Sequence, residues 1–305
     1  MGEIGLVDSD GAKLDAALTR IARDVDAVFD AMLPIPDDTR APLVEAMRYA
    51  AMNGGKRVRP LLLVTTAEML GVGRDPALRA ACAVESIHVY SLIHDDLPCM
   101  DDDDLRRGKP TTHRRFNEAT AVLAGDSLHA LAFEILTAEE TTSDPFTQAE
   151  LVRCLATASG MSGMAGGQMM DMVAESSSYD LREITRLQQL KTGALLAASV
   201  EMGAILARVP PEGRTSLRAY ARDIGLAFQI ADDLLDATGD EVAAGKALRK
   251  DDEQGKQTFV TLMGVEGARN QAEALINQAV GHLAPFGQDA AVLRALARYI
   301  VERDR

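Results

Sequence analysis

An apolar pattern of helical period runs through almost the whole chain, interrupted only by short breaks rich in Gly, Pro and Asp. The pattern predicts helices over residues 12–32, 42–53, 60–70, 76–97, 117–140, 147–173, 181–207, 213–238, 257–283 and 288–303. The alternating segments bounded by turn residues that are typical of strands are missing. Because no repeat or linker divides the 305 residues, we expect one all-α domain over residues 1–305.

The composition fits this fold and excludes several functions. Apolar residues make up 47% of the chain and aromatic residues only 4%, which favours packed helices over sheets. A net charge of −14 argues against binding to nucleic acid. We expect no membrane span and no signal peptide, since the apolar runs are too short and the N-terminus is acidic. Three cysteines without paired spacing are typical of a reduced, cytoplasmic protein.

A first acidic cluster follows the helix predicted over residues 76–97. Six aspartates lie between residues 95 and 104, two arginines follow at once, and Pro98 forces the chain out of the helix. Carboxylates suit Mg²⁺, which usually shares its coordination sphere with phosphate oxygens, and arginines bind the same phosphates with charge-assisted hydrogen bonds. The segment therefore predicts a metal–diphosphate site built from Asp95, Asp96, Asp101, Arg106 and Arg107.

A second cluster lies far downstream on a single helix face. Its members occupy positions i, i+3, i+4 and i+7 of an otherwise apolar helix. A solvated acidic face is the commoner meaning of such a pattern, but like charges beside apolar residues destabilise a helix unless a cation lies opposite. We expect Gln229, Asp232, Asp233 and Asp236 to face the first cluster across a shared ligand.

Separate basic and polar elements accompany the acidic clusters. They are a glycine turn that opens a helix at Pro60, a Lys-Thr-Gly segment expected to kink a long helix, and two lysines in the loop after the second cluster. Taken alone, each element is an ordinary loop or core feature. Together they predict a ligand with two multiply charged anionic groups, held by Lys56, Arg59, His88, Lys191, Thr192, Lys246 and Lys256.

These motifs closely resemble the trans-isoprenyl diphosphate synthases, the polyprenyl synthetase family, with the bacterial farnesyl diphosphate synthases as the nearest branch. The resemblance extends from about residue 42 to the C-terminus. It is carried by GGKRVRP at 54–60, DDLPCMD at 95–101 with the RRG that follows, GGQMMD at 166–171, KTG at 191–193 and FQIADDLLD at 228–236. It implies an isoprenoid-synthase-type helical bundle around a central cavity, and a homodimer.

The resemblance also implies roles for individual residues. Three Mg²⁺ ions, which Mn²⁺ can replace, would be bound by Asp95, Asp101 and Asp232, with Asp96, Asp233 and Asp236 as further or water-mediated ligands. Isopentenyl diphosphate would be bound by Lys56, Arg59, His88 and Arg107, and the allylic diphosphate by Arg106, Lys191, Thr192, Gln229 and Lys246. The role of Lys256 stays open, because Arg249 and Thr258-Phe259-Val260 depart from the pattern of many relatives.

The implied activity is Mg²⁺-dependent prenyl transfer, in which isopentenyl diphosphate condenses with dimethylallyl and then geranyl diphosphate to give farnesyl diphosphate. Tyr90, with the small Ser91 beside it, would limit the chain to fifteen carbons. A geranylgeranyl diphosphate synthase shares every motif and remains an alternative, as does a non-catalytic subunit of a heteromeric synthase. A terpene cyclase would have no use for the second diphosphate site.

Overall fold

The computed structural model describes residues 4–174, 177–238 and 257–302. The N-terminal part contains α1 (Ile4–Met32), α2 (Ala41–Ala51), α3 (Val58–Met69) and α4 (Arg74–Asp95). A hairpin of two-residue strands, β1 (Leu105–Arg106) and β2 (Lys109–Pro110), precedes α5 (Thr112–Arg115), α6 (Glu118–Thr137) and α7 (Pro145–Ser159). The C-terminal part contains α8 (Met164–Ala174), α9 (Leu181–Gln188), α10 (Ala194–Leu206), α11 (Thr215–Thr238), α12 (Phe259–His282) and α13 (Ala291–Glu302). The all-α prediction is confirmed, and the short hairpin is the one exception to it in the described part of the chain.

Side-chain caps fix where several helices begin. The Asn117 side chain accepts a hydrogen bond from the Thr120 amide at the start of α6. Asp180 and Glu183 form a capping box at the start of α9, and Thr258 and Thr261 form one at the start of α12. Such caps satisfy amides that the helix itself leaves without partners, which stabilises each helix by about 1 kcal/mol.

The helix predicted over residues 147–173 is wrong in one respect, since the structure has two helices there. The chain turns between α7 and α8, where a Cβ atom on Gly163 would lie 2.1 Å from the Ala158 carbonyl oxygen. Only glycine allows this close approach, so the apolar period continues across a break that the pattern does not reveal.

The kink expected at the Lys-Thr-Gly segment is confirmed. Residues Gln189–Gly193 form a π-helical turn between α9 and α10. Such turns are frequent at functional sites because they widen the helix and re-aim its side chains. Here the turn aims Lys191 and Thr192 into a cavity beside α4.

Helix α4 is the central element of the bundle. Twelve of its residues are buried, and it packs against α3 and α6. Helix α10 approaches α3 so closely that a Cβ on Gly203 would lie 2.8 Å from the Leu63 carbonyl oxygen. The buried apolar side chains form one cluster from Leu14 to Ile300, which supports the prediction of a single domain.

Helix α6 is the one described helix that is long and apolar enough to cross a membrane, by length and composition alone. It packs instead against α4, α2 and α7. Its sequence includes Asp126 and Glu134, and Val122 and Leu123 are exposed on its outer face. These contacts are those of a core helix with one uncovered apolar face.

Candidate functional site

A cavity of about 360 Å³ opens between the C-terminal half of α4, the helix α8 and the π-helical turn. Polar side chains line one part of it and methionines the other. Seven residues predicted from the sequence lie in its wall, namely Arg59, His88, Tyr90, Ser91, Asp95, Lys191 and Thr192. The structure therefore brings together segments that are far apart in the chain.

The first acidic cluster folds back over the end of α4. Asp95 is the last residue of the helix, and the Asp101 amide donates to its carbonyl oxygen over 2.8 Å. Asp96 is buried and accepts three hydrogen bonds from Arg106: Nη2 lies 2.6 Å and Nε 2.8 Å from Oδ1, and Nε lies 3.0 Å from Oδ2. Arg106 is thus bound to a carboxylate of the cluster.

Burial raises the pKa of Asp95 to about 6, and the negative charges of Asp101 and Asp96 add to this effect while Lys191 opposes it. The same surroundings that disfavour a lone carboxylate favour a divalent cation next to it. Among the described residues, no group of three His, Cys, Asp or Glu side chains is placed to bind an ion alone. Asp95 and Asp101 nevertheless offer carboxylate oxygens of the kind that Mg²⁺ takes, usually one or two, with phosphate and water oxygens completing its sphere.

The glycine turn before α3 has a backbone that few residues adopt. Gly54 and Gly55 have φ angles of +75° and +115°. The Arg107 guanidinium donates to the Gly54 carbonyl oxygen, and a Cβ on Gly55 would lie 2.6 Å from that guanidinium. Arg107 itself has φ +55° and, with Gly108 at +74°, forms the two-residue turn of the hairpin. The glycines at positions 54 and 55 therefore allow the backbone turn and the close approach through which Arg107 contacts this loop.

Arg59 and His88 form a basic wall behind this loop. Arg59 Nε is buried and has no hydrogen-bond partner among the described residues. Burial lowers the pKa of His88 well below its usual value, and the charges of Arg59 and Arg107 add to that effect. His88 is therefore neutral at pH 7 in the ligand-free protein and offers a ring N–H rather than a charge. An anion entering this wall would gain the largest stabilisation from the arginines.

Lys191 is bound by an acidic residue that the sequence argument did not select. Its Nζ atom lies 2.6 Å from Asp171 Oδ2 on α8. Gly167 permits the contact, since a Cβ there would lie 2.2 Å from the Lys191 backbone nitrogen. Asp171 and Gly167 belong to the GGQMMD motif. The sequence therefore contained both residues in a recognised motif, but the motif did not indicate that Asp171 pairs with Lys191.

The side chains of the second acidic cluster make two kinds of contact, one with the basic wall and the other with neighbouring helices. Asp232 lies close enough to Arg59 for its charge to raise the pKa of that guanidinium, which links the cluster to the basic wall. Gln229 donates to Gln188 Oε1 over 2.7 Å, at the end of α9. Asp233, predicted as a further metal ligand, is buried and accepts from the Phe259 amide over 2.8 Å at the start of α12.

One oxygen of Asp233 thus caps a helix, which the spacing of the cluster did not anticipate. Its metal role remains a prediction, as do those of Asp232 and the half-buried Asp236. Lys246 and Lys256 lie outside the described residues, as does Arg249. Lys56 is exposed, and its Nζ atom lies 5.7 Å from the centre of the Tyr299 ring on α13.

Tyr90 closes part of the cavity wall through aromatic contacts. Its ring packs edge-on against His94 on α4 and against His129 on α6, with centroid distances of 5.7 and 5.0 Å. The neighbouring Ser91 hydroxyl donates to the His88 carbonyl oxygen over 2.9 Å and stays close to the helix. The large ring is therefore held between two helices, whereas the serine leaves its side of the cavity open.

A larger cavity of about 530 Å³ lies between α7 and α10. Alanines line its floor, and its charged residues largely pair with one another, as in the contact of Arg218 with Glu201. It contains none of the predicted site residues. The smaller cavity, which contains seven of the predicted site residues, is the candidate active site.

Comparison with known proteins agrees with this geometry. The polyprenyl synthetase family model matches residues 40–298. Farnesyl diphosphate synthase of Escherichia coli is 46% identical over 91% of this chain and 93% of its own length. Geranylgeranyl pyrophosphate synthase 11 of Arabidopsis thaliana is 45% identical over 94% of this chain and 81% of its own length.

A solved structure is similar along the whole fold. The apo crystal structure of an FPP/GFPP synthase from Zymomonas mobilis superposes with a TM-score of 0.88 at 55% identity, over 95% of this chain and 99% of that chain. The matched family region contains both aspartate clusters, the glycine turn and the π-helical turn. This chain belongs to the polyprenyl synthetase family.

Proposed function

We propose that this protein is a prenyltransferase that condenses isopentenyl diphosphate with dimethylallyl and then geranyl diphosphate to give (2E,6E)-farnesyl diphosphate. The observation that carries this proposal is the meeting of charged and apolar walls in one cavity, where Asp95, Lys191, Arg59 and His88 face methionines of α8. Diphosphates would occupy the charged end and prenyl chains the apolar end.

The residues of the cavity suit the bond changes of this reaction. The allylic carbon–oxygen bond breaks, and the negative charge that develops on the departing diphosphate is stabilised by Lys191 and Arg106. Isopentenyl diphosphate, bound by Arg59 and His88, presents its double bond to the allylic carbon, and one proton is lost from the new chain. The departing diphosphate is the base that we assign to that proton, since the reaction needs no nucleophile from the protein.

Divalent ions, three Mg²⁺ with Mn²⁺ as a substitute, are part of the proposal. Asp95 and Asp101 would hold them from one side and Asp232 from the other, with Asp96, Asp233 and Asp236 as further ligands. Bound there, the ions supply Lewis-acid stabilisation of the diphosphate leaving group. The raised pKa of Asp95 supports this assignment, because burial, its largest cause, leaves next to Asp101 and Asp96 a carboxylate that a divalent cation would stabilise.

A product of twenty carbons is the second candidate, and the geranylgeranyl synthase among the relatives is its specific support. We favour fifteen carbons because the Tyr90 ring, fixed against His94 and His129, stands in the cavity wall five residues before Asp95. A non-catalytic subunit is disfavoured by the presence of both aspartate clusters and of the basic wall.

Product length tests this proposal and its alternative together. Purified protein is incubated with labelled isopentenyl diphosphate, dimethylallyl diphosphate and Mg²⁺, and the extracted alcohols are separated by chromatography. We expect fifteen-carbon product from the wild type and twenty carbons or longer from Tyr90→Ala, since the ring no longer ends the cavity. Ser91→Ala is the control, and its product should not change.

Twenty-carbon product from the wild type would make the protein a geranylgeranyl diphosphate synthase. Unchanged fifteen-carbon product from a folded Tyr90→Ala variant would remove Tyr90 from its proposed role. No prenyl product under any of these conditions would contradict the prenyltransferase assignment itself.

A cytoplasmic homodimer is the proposed state of the protein. The outer face of α6 supports a second copy as its partner, because the apolar side chains of Val122 and Leu123 are 40% and 54% exposed there. Sedimentation of the wild type and of Leu123→Glu checks this: a dimer that the charge dissociates is expected, and a monomeric wild type would contradict it.

A further inference from the structure

Glu85 is a buried carboxylate that neither the motifs nor the proposed reaction uses. It lies on α4, one helical turn before His88, and is 2% exposed. Its Oε1 atom accepts from Arg57 Nη1 over 2.7 Å, whereas Oε2 is buried without a hydrogen-bond partner among the described residues. Burying a charge is costly unless the charge is paired and hydrogen-bonded. A carboxylate buried in this way is therefore expected to hold other charged groups in place.

Arg57, the partner of Glu85, fixes the glycine turn from inside the protein. It has φ +49° and a side chain that is 1% exposed. Besides Glu85, its guanidinium contacts Asp26 Oδ1 at 2.7 Å and the Ala51 carbonyl oxygen at 2.5 Å. These bonds tie the loop before α3 to α1, α2 and α4. Arg57 is therefore an anchor rather than a ligand for an incoming anion.

The charge of Glu85 also acts on the two arginines that face the cleft. Burial lowers the pKa of both Arg59 and Arg107, and the negative charge of Glu85 opposes that lowering. Glu85 is thus bonded to one guanidinium group and close enough to two others for its charge to act on them, with Asp232 as a further negative charge near Arg59. Without that carboxylate the guanidinium groups would repel one another, and the anchor would lose its strongest bond.

We propose that Glu85 is a positioning residue for the isopentenyl diphosphate site: it holds Arg57, and through Arg57 the glycine turn, so that Arg59 and Arg107 face the incoming diphosphate. This inference rests on the proposed function. In the proposed arrangement the arginines of the site lie between two anions. One is the permanent carboxylate of Glu85 on α4, and the other is the diphosphate on the side of the cleft. Lys191 and its partner Asp171 lie on other elements, so the allylic site does not depend on Glu85.

The test compares Glu85→Gln with Glu68→Gln. The control removes a carboxylate that pairs with two arginines elsewhere in the bundle: Glu68 on α3 contacts Arg20 at 2.9 Å and Arg74 at 3.1 Å, away from the cavity. KM for isopentenyl diphosphate, KM for geranyl diphosphate and kcat are measured for each variant, with circular dichroism to check folding.

Glu85→Gln is expected to raise KM for isopentenyl diphosphate about tenfold or more, which corresponds to the loss of one charge-assisted bond. KM for geranyl diphosphate should stay within about twofold of the wild type, and Glu85→Asp should recover part of the loss. Glu68→Gln should change neither KM. Equal increases of both KM values, or no increase for isopentenyl diphosphate, would overturn the proposal.

Two further measurements keep the inference testable. If Glu85→Gln does not fold, Asp26→Asn weakens the same anchor from a 41% exposed side chain and should raise the same KM to a smaller extent. If the wild type forms no prenyl product, the proposed function fails by itself. Binding of inorganic diphosphate in EDTA, measured by calorimetry, then decides the inference: it stands if Glu85→Gln weakens that binding and falls if it does not.

Discussion

The site has an acidic half, around the two aspartate clusters, and a basic half, around Arg59, His88 and Arg107. The two halves differ in whether their cationic side chains are already paired with carboxylates. In the acidic half, the side chains predicted to bind the allylic diphosphate are already bound by carboxylates, Arg106 by Asp96 and Lys191 by Asp171. In the basic half, Arg59 Nε is buried without a hydrogen-bond partner among the described residues, Arg107 is bound to a backbone carbonyl oxygen, and His88 is neutral. The basic half is thus ready for an anion, whereas in the proposed reaction cations bound in the acidic half would free its lysine and arginine for the diphosphate.

Loss of a metal-binding carboxylate should have the largest effect. Asp95→Ala and Asp232→Ala are each expected to lower kcat by about 10³-fold or more, because the developing charge on the leaving diphosphate would lose a bound cation. The measurement is steady-state turnover in Mg²⁺, with circular dichroism to show that the helices remain. Asp37→Ala, an exposed carboxylate before α2, is the control. Near-normal turnover of either variant would refute the acidic half as a metal site.

Substitutions of the basic residues should separate the two halves kinetically. Arg59→Ala is expected to raise KM for isopentenyl diphosphate and Lys191→Ala to raise KM for geranyl diphosphate, each by about 10- to 100-fold for the loss of one charged bond of about 1.5–3 kcal/mol. Initial rates with one substrate saturating measure both constants. If each variant damaged the use of both substrates equally, the division into halves would be wrong.

The smallest expected effect concerns stability. The pKa of Asp95 is raised to about 6, so ionisation of this group destabilises the metal-free fold, and the penalty is absent below about pH 4 and complete above about pH 6. Asp95→Asn should therefore raise the free energy of unfolding in EDTA at pH 7 by about 1–2 kcal/mol and change it little at pH 4.

Denaturant unfolding at the two pH values measures this difference. A variant that is less stable than the wild type at pH 7 in EDTA would show that the carboxylate is satisfied without metal. Excess Mg²⁺ should reduce or reverse the advantage of the variant, because only the wild type gains the full binding energy of the ion.

The sequence predicted what depends on period and spacing. The helical pattern predicted the all-α bundle, and the first aspartate, glycine-turn and Lys-Thr-Gly motifs each contributed a residue to the cavity wall, namely Asp95, Arg59 and Lys191. It did not predict contacts that depend on how helices face one another. The break between α7 and α8 depends on the close approach of Gly163 to Ala158, which has no signature in an apolar period.

The partners of the site residues were also hidden from the sequence. Asp171 and Glu85 lie on helices whose orientation only packing determines, and nothing in the spacing of Asp232 and Asp233 shows that the second caps α12. Charge motifs reveal which side chains take part in a site. Which of them are already paired before a ligand arrives is a property of the folded arrangement.

Calorimetric titration of the wild type tests the contrast between the halves most directly. Isopentenyl diphosphate is titrated into protein in EDTA and then in Mg²⁺, and geranyl diphosphate is titrated in the same way. Our account predicts that isopentenyl diphosphate binds in both conditions, because Arg59, Arg107 and His88 need no metal, and that geranyl diphosphate binds only in Mg²⁺. Equal metal dependence of the two ligands, or tight binding of geranyl diphosphate in EDTA, would contradict it.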